Sequence, residues 1–316
     1  MPKFDITIAG ELNLDLILYG LPDELPPERE LLANDMALTL GSSSAIVAHN
    51  LAALGTQVGF TSCIGQDDFG TIALDRLRAI GVDVSGVVRL GPPAQTGLTV
   101  IIPRANWRNI LTYSGTIAKL SRQHLDFDFL ASSRHFHLSS YFLQTGLQPY
   151  IPELLRRLKA AGLTISLDTN DDPCDTWESG VERILPLVDV FLPNEREAQK
   201  ITRTSNLNEA IDKLSRLVPL VVVKLGAEGS LAVQGSERIR SKPLHVECVD
   251  PVGAGDSFDA GFLCAFVRGE DLPACLASGN LAGALSVTRP GGTEAFRDQY
   301  HREDFLKRHR PQGQAQ

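Results

Sequence analysis

The sequence predicts an α/β protein built on one mainly parallel sheet with helices on both faces. Three observations support this prediction. Short apolar runs alternate with amphipathic stretches along the chain, as they do in βαβ units. Glycine follows several amphipathic stretches, at Gly55, Gly81 and Gly162, where it is a common C-terminal cap of a helix. Residues 221–223 are three consecutive valines, which is typical of a strand buried on both faces.

Each element of this fold follows from its own pattern. The strands expected in the sheet are short apolar runs, at residues 4–10, 58–64, 135–139, 164–168, 189–193 and 220–225. The helices expected between them are amphipathic, at residues 44–54, 69–80, 152–161, 195–201 and 207–217. Because strands and helices alternate, we expect parallel strands and a three-layer arrangement.

Two segments, 13–40 and 91–115, break this alternation. Their strand-like runs lie at residues 14–18, 36–40, 96–103 and 109–113. They would form either a lid assembled from two separate insertions or surface hairpins without a role. We expect residues 1–316 to form a single domain, with the two segments projecting as a small β-sheet. The basic, polar tail 301–316 is expected to fray.

Composition excludes several classes of protein. The chain has 316 residues, with 30 Lys and Arg against 38 Asp and Glu, so its formal net charge is −8. This balance argues against coating of nucleic acid or of an anionic membrane. No stretch approaches the roughly 18 apolar residues of a membrane helix, and the first residues resemble a strand rather than a secretory signal. Five widely spaced cysteines favour reduced thiols in a cytoplasmic protein and no structural zinc site.

The segment 249–262 contains the strongest chemical signal. Gly253, Ala254 and Gly255 allow close approach to the backbone, and a helix is expected from residue 256 to 268. A small-residue loop that leads into a helix N-terminus is an anion site. Asp256 at that position would repel a permanent anion. It suits a base that removes a proton from a hydroxyl attacking a bound phosphoryl group, although an isolated Asp there would be a helix N-cap.

This segment also resembles a family signature. Residues 250–258 form Asp-Pro-Val-Gly-Ala-Gly-Asp-Ser-Phe, similar to the Asp-Thr-x-Gly-Ala-Gly-Asp-x-Phe motif of the ribokinase-like (PfkB) carbohydrate kinases, and differ only at the second residue. Four more motifs resemble the family in the same order: Gly-Glu-Leu-Asn-Leu-Asp at 10–15, the Gly-Ser-Ser-Ser-Ala to Asn-Leu-Ala-Ala-Leu-Gly segment at 41–55, Pro-Asn-Glu-Arg-Glu at 193–197, and Lys-Leu-Gly-Ala-Glu-Gly at 224–229.

The resemblance implies transfer of the γ-phosphoryl group of ATP to a hydroxyl of a sugar or similar alcohol, with Asp256 as the base. The anion hole would consist of the backbone amides of Gly253, Ala254, Gly255 and Asp256. The acceptor would be bound by Asn13, Asp15, Gly41, Ser42 and Ser43, and ATP by Asn194, Lys224, Gly226, Gly229 and Asn280. Mg²⁺ would bridge the ATP phosphates, with Glu197 acting through water. Asp250 would support a monovalent cation, usually K⁺, and the β lid would allow a homodimer.

Some of these roles have ordinary structural alternatives. Asn194 and Glu197 have the spacing of a capping box. Asn13 and Asp15 alternate along an extended chain and so point to one side, which suits either neighbouring hydroxyls or a solvated edge strand. Asn280 is expected at the start of an apolar helix, either near adenine or on an ordinary helix surface.

The acceptor is only partly defined by the sequence. Ser42, Ser43 and Ile46 replace the second Gly, the Lys and the Asn of ribokinase proper, which counts against ribose because Ile cannot form a hydrogen bond. Kinases of 2-keto-3-deoxygluconate have an Arg after an Asp-x-Asn element. Here acidic residues follow that element, which spans residues 168–170, so an anionic acceptor is disfavoured.

A neutral sugar or a nucleoside therefore remains as the acceptor. Trp107 and Tyr113 in the second lid segment could stack on a sugar or base, while aromatic residues in hairpins more often simply pack. Arg104 and Arg108 could supply cationic contacts or form a solvated lid face.

Competing functions fit the sequence less well. A P-loop kinase is excluded because the chain contains no Gly-Lys dipeptide. A Rossmann dehydrogenase would need glycine where Phe258 stands. A vitamin-type kinase of the same superfamily usually lacks the two-part lid. A sugar-sensing protein on a kinase scaffold remains the non-enzymatic alternative, although the base and the anion hole are both present.

Overall fold

The computed structural model describes residues 2–104, 107–178 and 180–309. Its strands are β1 (Phe4–Ala9), β2 (Asn13–Tyr19), β3 (Asp35–Leu40), β4 (Val58–Gly65), β5 (Asp83–Leu90), β6 (Gly97–Pro103), β7 (Arg108–Tyr113), β8 (Ser133–Ser139), β9 (Thr164–Asp168), β10 (Val190–Phe191), β11 (Leu220–Lys224), β12 (Ser230–Gln234) and β13 (Glu237–Ser241). Its helices are α1 (Ser43–Ala53), α2 (Asp68–Ala79), α3 (Phe127–Ala131), α4 (Ile151–Ala160), α5 (Glu195–Thr202), α6 (Leu207–Leu214), α7 (Ala254–Val267), α8 (Leu272–Ser286), α9 (Glu294–Arg297) and α10 (Gln299–His309).

One large sheet forms the centre of the described chain. Its nine strands lie in the order β13-β12-β11-β10-β9-β8-β1-β4-β5. The seven strands from β11 to β5 are parallel to their neighbours, and β12 and β13 continue the sheet in antiparallel pairing. The mainly parallel sheet confirms the fold class that the alternating pattern predicts. The antiparallel edge, like β5, was not predicted.

Helices cover both faces of this sheet. Neighbouring residues of each strand point to opposite sides of the sheet, and where both are apolar each side must be covered by helices. Val221 and Val223 of β11 pack into the apolar cluster that includes α4, α5 and α6. Val222 packs on the other face, into the cluster that includes α1, α2, α7 and α8. All three valines are fully buried, as their consecutive placement predicts.

The two segments that break the alternation pair with each other in a second sheet of four strands, in the order β3-β2-β6-β7. β2 lies parallel to β6, with Asn13 opposite Gly97 and Ile17 opposite Ile101. The inner side of this small sheet contributes Ile17 and Ile101, which pack against Val252, directly before the Gly253 loop. The small sheet therefore adjoins the loop that holds the predicted anion hole.

Three predictions in the C-terminal third are wrong in detail. The helix predicted from residue 256 begins at Ala254, so Ala254 and Gly255 belong to its first turn. Asn280 lies in the middle of α8, not at its start, because α8 is capped by Asp271 and continues through Pro273.

The third wrong prediction concerns the C-terminal tail, which was expected to fray from residue 301. Residues 301–309 belong to α10, because Phe305 is buried in an apolar cluster against the preceding helices. Residues 310–316 of the predicted frayed tail lie outside the described residues.

Across residues 2–104, 107–178 and 180–309, no helix is long and apolar enough to cross a membrane.

Candidate active site

The predicted base lies in the first turn of α7 and contacts the start of α1. Ser43 Oγ donates a hydrogen bond to Asp256 Oδ1 at 2.5 Å. Burial raises the pKa of Asp256 to about 6, with a further contribution from Asp168, against the lowering effect of the Ser43 hydroxyl. A carboxyl with such a pKa is ionised at neutral pH and still accepts a proton readily, which suits general base catalysis.

The turn before Asp256 can only be built with glycine. Gly253 has φ +73°, and a Cβ at this position would lie 2.4 Å from the Cα of Gly292. The φ value and the close approach each exclude a side chain. The amides of Ala254, Gly255 and Asp256 begin the helix and have no acceptor within it, so they can bind an anion. The Ala254 amide donates to the Pro251 carbonyl at 3.3 Å and would exchange that bond for one to the anion. The structure thus brings together the four predicted anion-hole residues.

The predicted acceptor residues lie on β2 and on the turn before α1. Asn13 Nδ2 donates to Thr99 Oγ1 at 3.2 Å, and Ser42 Oγ donates to Asn13 Oδ1. Burial raises the pKa of Asp15 to about 7, with Asp256 as the next cause. A Cβ on Gly41 would lie 2.1 Å from Asp15 Oδ1. Both polar side chains of β2 are therefore buried against these neighbours, and the alternative of a solvated edge strand is wrong.

Glu11 is a buried acid beside this site to which sequence reasoning assigned no role. Its Oε2 accepts from Ser44 Oγ at 2.7 Å, and its Oε1 accepts from the amide of Ser44 at 3.2 Å. Burial raises its pKa. The signal that could have identified it is its place in the Gly-Glu-Leu-Asn-Leu-Asp motif, directly after β1.

Asn194 and Glu197 form a capping box at the start of α5. The Asn194 amide donates to Glu197 Oε2 at 2.8 Å, and the Glu197 amide donates to Asn194 Oδ1 at 2.9 Å. Burial, followed by repulsion from Asp168, raises the pKa of Glu197 to about 8. The structural alternative is thus present, and a direct metal bond would have to replace the hydrogen bonds on Glu197. Contact between Glu197 and the metal through a water molecule would leave these hydrogen bonds in place.

Asp250 is buried and its carboxylate is fully engaged. Oδ1 accepts from the amide of Val252 at 2.9 Å, and Oδ2 accepts from the amide of Gly291 at 2.9 Å and from the Tyr19 hydroxyl at 3.2 Å. These bonds fasten the segment before the anion hole to the loop after α8 and to β2. Asp250 therefore has a structural role whether or not a cation lies nearby.

Lys224 lies at the end of β11 in a cluster of buried acids. Its Nζ is 2.6 Å from Asp168 Oδ2 and 3.1 Å from Asp259 Oδ2. Burial alone would lower the pKa of Lys224, but attraction to Asp168 and Asp259 outweighs it and raises the pKa. Sequence reasoning did not assign roles to these two acids. Asp259 could have been noticed because it lies three residues after Asp256, on the same helix face.

The remaining predicted nucleotide residues lie at the edge formed by β12 and β13. Gly229 has φ +89°, and a Cβ there would lie 2.2 Å from the Ser241 carbonyl oxygen. Gly226 has φ +57° with open space around it. Asn280 Nδ2 donates to Ser241 Oγ and to the Lys242 carbonyl, both at 3.0 Å. Asn280 thus anchors the chain after β13, which is a structural role, and its contact with adenine stays a prediction.

The donor set fits a magnesium ion held mainly by a nucleotide. Among the residues that the structure describes, no group of three or more His, Cys, Asp or Glu forms a metal cage. Mg²⁺ commonly uses few protein carboxylates and is completed by water and substrate phosphates. Buried Glu197, which is close enough to Asp256 for their charges to interact, is compatible with that arrangement.

Comparisons with known proteins point to one family. The model of the pfkB family of carbohydrate kinases matches residues 3–299. The chain is 30% identical over 257 residues to fructoselysine 6-kinase of Shigella flexneri, covering 79% of this chain and 90% of that protein. It is 28% identical to a nucleoside kinase of Methanothermobacter thermautotrophicus, covering 92% and 91%. A solved structure of a putative ribokinase II from E. coli in complex with ATP and Mg²⁺ superposes with a TM-score of 0.83 at 28% identity, covering 97% and 100%.

Proposed function

Because the chain belongs to the PfkB family of carbohydrate kinases, we propose that it transfers the γ-phosphoryl group of ATP to a hydroxyl of a neutral sugar-like acceptor, with Asp256 as the base. The observation that supports this most strongly is the placement of Asp256. Its carboxyl lies in the first turn of α7, where the N-terminal amides of the helix can bind the phosphoryl group, and it already accepts a hydrogen bond from a hydroxyl, that of Ser43.

The transfer balances with the groups at hand. The acceptor hydroxyl gives its proton to Asp256 as its oxygen forms a bond to the γ-phosphorus, and the bond from that phosphorus to the β–γ bridging oxygen breaks to release ADP. The amides of Gly253, Ala254, Gly255 and Asp256 stabilise the charge on the transferring group. Bound magnesium would supply positive charge to the phosphate oxygens, with Asn194 and Glu197 orienting its water ligands. The proton then passes from Asp256 to solvent.

We propose that ATP lies along the edge formed by Lys224, Gly226, Gly229 and Asn280. Gly226 leaves open space at this edge, and the left-handed turn at Gly229 holds the loop against β13. A monovalent cation beside Asp250 is the less supported part of this proposal, because both oxygens of that carboxylate already accept hydrogen bonds. Activity measured with K⁺ and then with a bulky organic cation tests it.

The acceptor site favours a molecule without negative charge. Asp15 and Glu11 are buried acids near Asp256, and an anionic acceptor would be repelled there. Arg104 does not offset them, because it donates to the carbonyls of Leu21 and Pro22. Arg108 does attract Asp15, but less strongly than Asp256 and Asp250 repel it. Asn13, Asp15, Gly41, Ser42 and Ser43 are the proposed contacts. A nucleoside is the second candidate, supported by the similarity to a nucleoside kinase.

We propose that the small sheet of β2, β3, β6 and β7 acts as a lid within a single domain that spans residues 1–316. Its inner residues Ile17 and Ile101 pack on the segment that leads into the anion hole. Its other surfaces expose large apolar side chains, at Met36, Trp107, Ile110, Leu111 and Tyr113. Exposed apolar side chains of this kind suit burial in a homodimer through the lid. Sedimentation of the wild type and of Leu111→Lys tests this dimer, which the charged variant should dissociate.

A cytoplasmic location is part of the same proposal. All five cysteines are free thiols, as expected in a reducing compartment. Fractionation of the native host's cells tests it.

The function is tested by a screen of ATP consumption. Purified protein is mixed with Mg-ATP and a panel of ketoses, aldoses, inositols, nucleosides and 2-keto-3-deoxygluconate. We expect turnover with a neutral acceptor and none with Asp256→Ala. Full activity in Asp256→Ala would refute the mechanism. Binding of a sugar without turnover across the panel would support a sensing protein instead.

A further inference from the structure

A buried charged cluster lies beneath the first turn of α7, and the proposed function gives no role to two of its three members, Asp168 and Asp259. Lys224 comes from the end of β11, Asp168 from the end of β9, and Asp259 from α7. The two carboxyl groups are fully buried and the lysine side chain is 10% exposed. A lysine so deeply buried is rare unless it is paired. Its place here calls for an explanation beyond stability, because an apolar cluster of the same volume would serve stability equally well.

The cluster contains one more acid than it needs to neutralise Lys224. Attraction to Lys224 helps to hold the pKa of Asp168 low, whereas burial raises the pKa of Asp259 well above its ordinary value, and the two carboxyl groups share a hydrogen bond. Burial thus favours the neutral form of Asp259, while Lys224 favours the charged form of Asp168.

The ammonium group also lies against the turn that holds the base. A Cβ on Gly255 would be 3.8 Å from Lys224 Nζ, and Asp256 follows directly. Asp256 and Asp259 are three residues apart and so share one face of α7. The charge of Lys224 is thus placed next to the base, while Asp168 and Asp259 hold its Nζ in a fixed position.

Acids surround the base from almost every other side. The ionisable and hydrogen-bonding groups that act on Asp256 are Glu11 after β1, Asp15 on β2, Ser43 on α1, Asp168 on β9, Glu197 on α5, Lys224 on β11 and Asp259 on α7. Lys224 is the cation in this set, and its attraction partly offsets the repulsion from Asp168, which acts on Asp256 more strongly. Without it, the negative charge around Asp256 would favour the protonated form, which cannot accept a proton.

We propose that Lys224, fixed by Asp168 and Asp259 beneath the first turn of α7, is a positioning residue that keeps Asp256 in its charged, proton-accepting form. This inference rests on the proposed function, and it adds a role for an ammonium group that would otherwise be assigned to the ATP phosphates. Two of its neighbours are carboxyl groups, so phosphate would have to compete with them for Nζ.

The test measures the protonation of Asp256 without requiring turnover. The protein is labelled with aspartate carrying ¹³C at the carboxyl carbon, and the Asp256 signal is identified by its absence in Asp256→Asn. We expect a midpoint near 6 in the wild type, and a midpoint about one pH unit higher in Lys224→Met. Lys224→Arg should keep the wild-type midpoint. Lys159→Met is the matched control, because it removes an equal charge from a surface pair with Asp189.

The outcomes separate this inference from the proposed function. A folded Lys224→Met variant with an unshifted midpoint overturns the inference, and so does a variant whose only change is a raised KM for ATP. Where Lys224→Met does not fold, Lys224→Gln replaces it, because its amide still donates to a carboxylate without carrying charge. The acid limb of kcat/KM should move in parallel with the carboxyl midpoint. A wild type that phosphorylates no acceptor would refute the proposed function, while the carboxyl titration would still decide the role of Lys224.

Discussion

Replacement of Gly253 by alanine is expected to damage both the fold and the transfer step, by amounts that the structure allows us to separate. Gly253 has φ +73°, and an alanine held in this left-handed region costs about 1 kcal/mol. In addition, the new Cβ would lie 2.4 Å from the Cα of Gly292, whereas real contacts essentially never fall below 3.0 Å. The two backbone segments would have to move apart by about 0.6 Å, which displaces the anion hole.

Gly269 provides a matched control for this substitution. It has φ +79°, and a Cβ there meets nothing within 4 Å. Gly269→Ala should therefore lose only the conformational term of about 1 kcal/mol, with unchanged transfer rate. Gly253→Ala should lose more stability and at least about tenfold in kcat, since a displacement of 1 Å can cost about a hundredfold. Urea denaturation and steady-state kinetics measure the two effects. Equal kcat for both variants would refute the assignment of Gly253 to the anion hole.

Three further predictions follow from the same site. Burial raises the pKa of Asp256 to about 6, so kcat/KM should fall tenfold per pH unit below that value; a flat profile from pH 7 to 4 would exclude Asp256 as the base. The same raised pKa means that ionised Asp256 lowers the stability of the fold above about pH 6 and has no such effect below its ordinary value near 4. Asp256→Asn should therefore raise the thermal midpoint at pH 8 but not at pH 3.5, and the opposite pattern would contradict this. Asn194→Ala removes the cap of α5 and should cost about 1 kcal/mol in urea denaturation, whereas an unchanged free energy of unfolding would show that the capping box contributes nothing.

The sheet and its helices were predictable because their signals are local. The apolar runs of β1, β9 and β11 and the glycine caps after α1, α2 and α4 each lie within a few residues. β13 was missed because Glu237–Ser241 is an antiparallel edge strand that is half polar and carries no buried run. β12 does carry a buried run, but only of four residues, which is too short to stand out in the sequence. The pairing of β2 with β6 joins residues more than 80 positions apart, and nothing local determines such pairing.

The site was predictable where chemistry requires a particular residue in a short motif. Gly253, Gly255 and Asp256 belong to one turn of the chain, and Asn194 and Glu197 to another. The Lys224, Asp168 and Asp259 cluster could not be found in this way, because its members come from three elements and meet only in the folded sheet. Burial, which controls the pKa of Asp256 and Asp259, is likewise a property of the folded chain.

The central claim is that Asp256 takes the acceptor's proton during transfer from ATP. The most direct test compares the wild type with Asp256→Asn, a substitution of nearly equal shape, in a single-turnover reaction with γ-³²P-ATP, Mg²⁺ and the acceptor found in the screen. We expect labelled sugar phosphate from the wild type and a rate at least about a hundredfold lower from Asp256→Asn, with ATP binding retained. Labelled product formed at the wild-type rate by Asp256→Asn would contradict it.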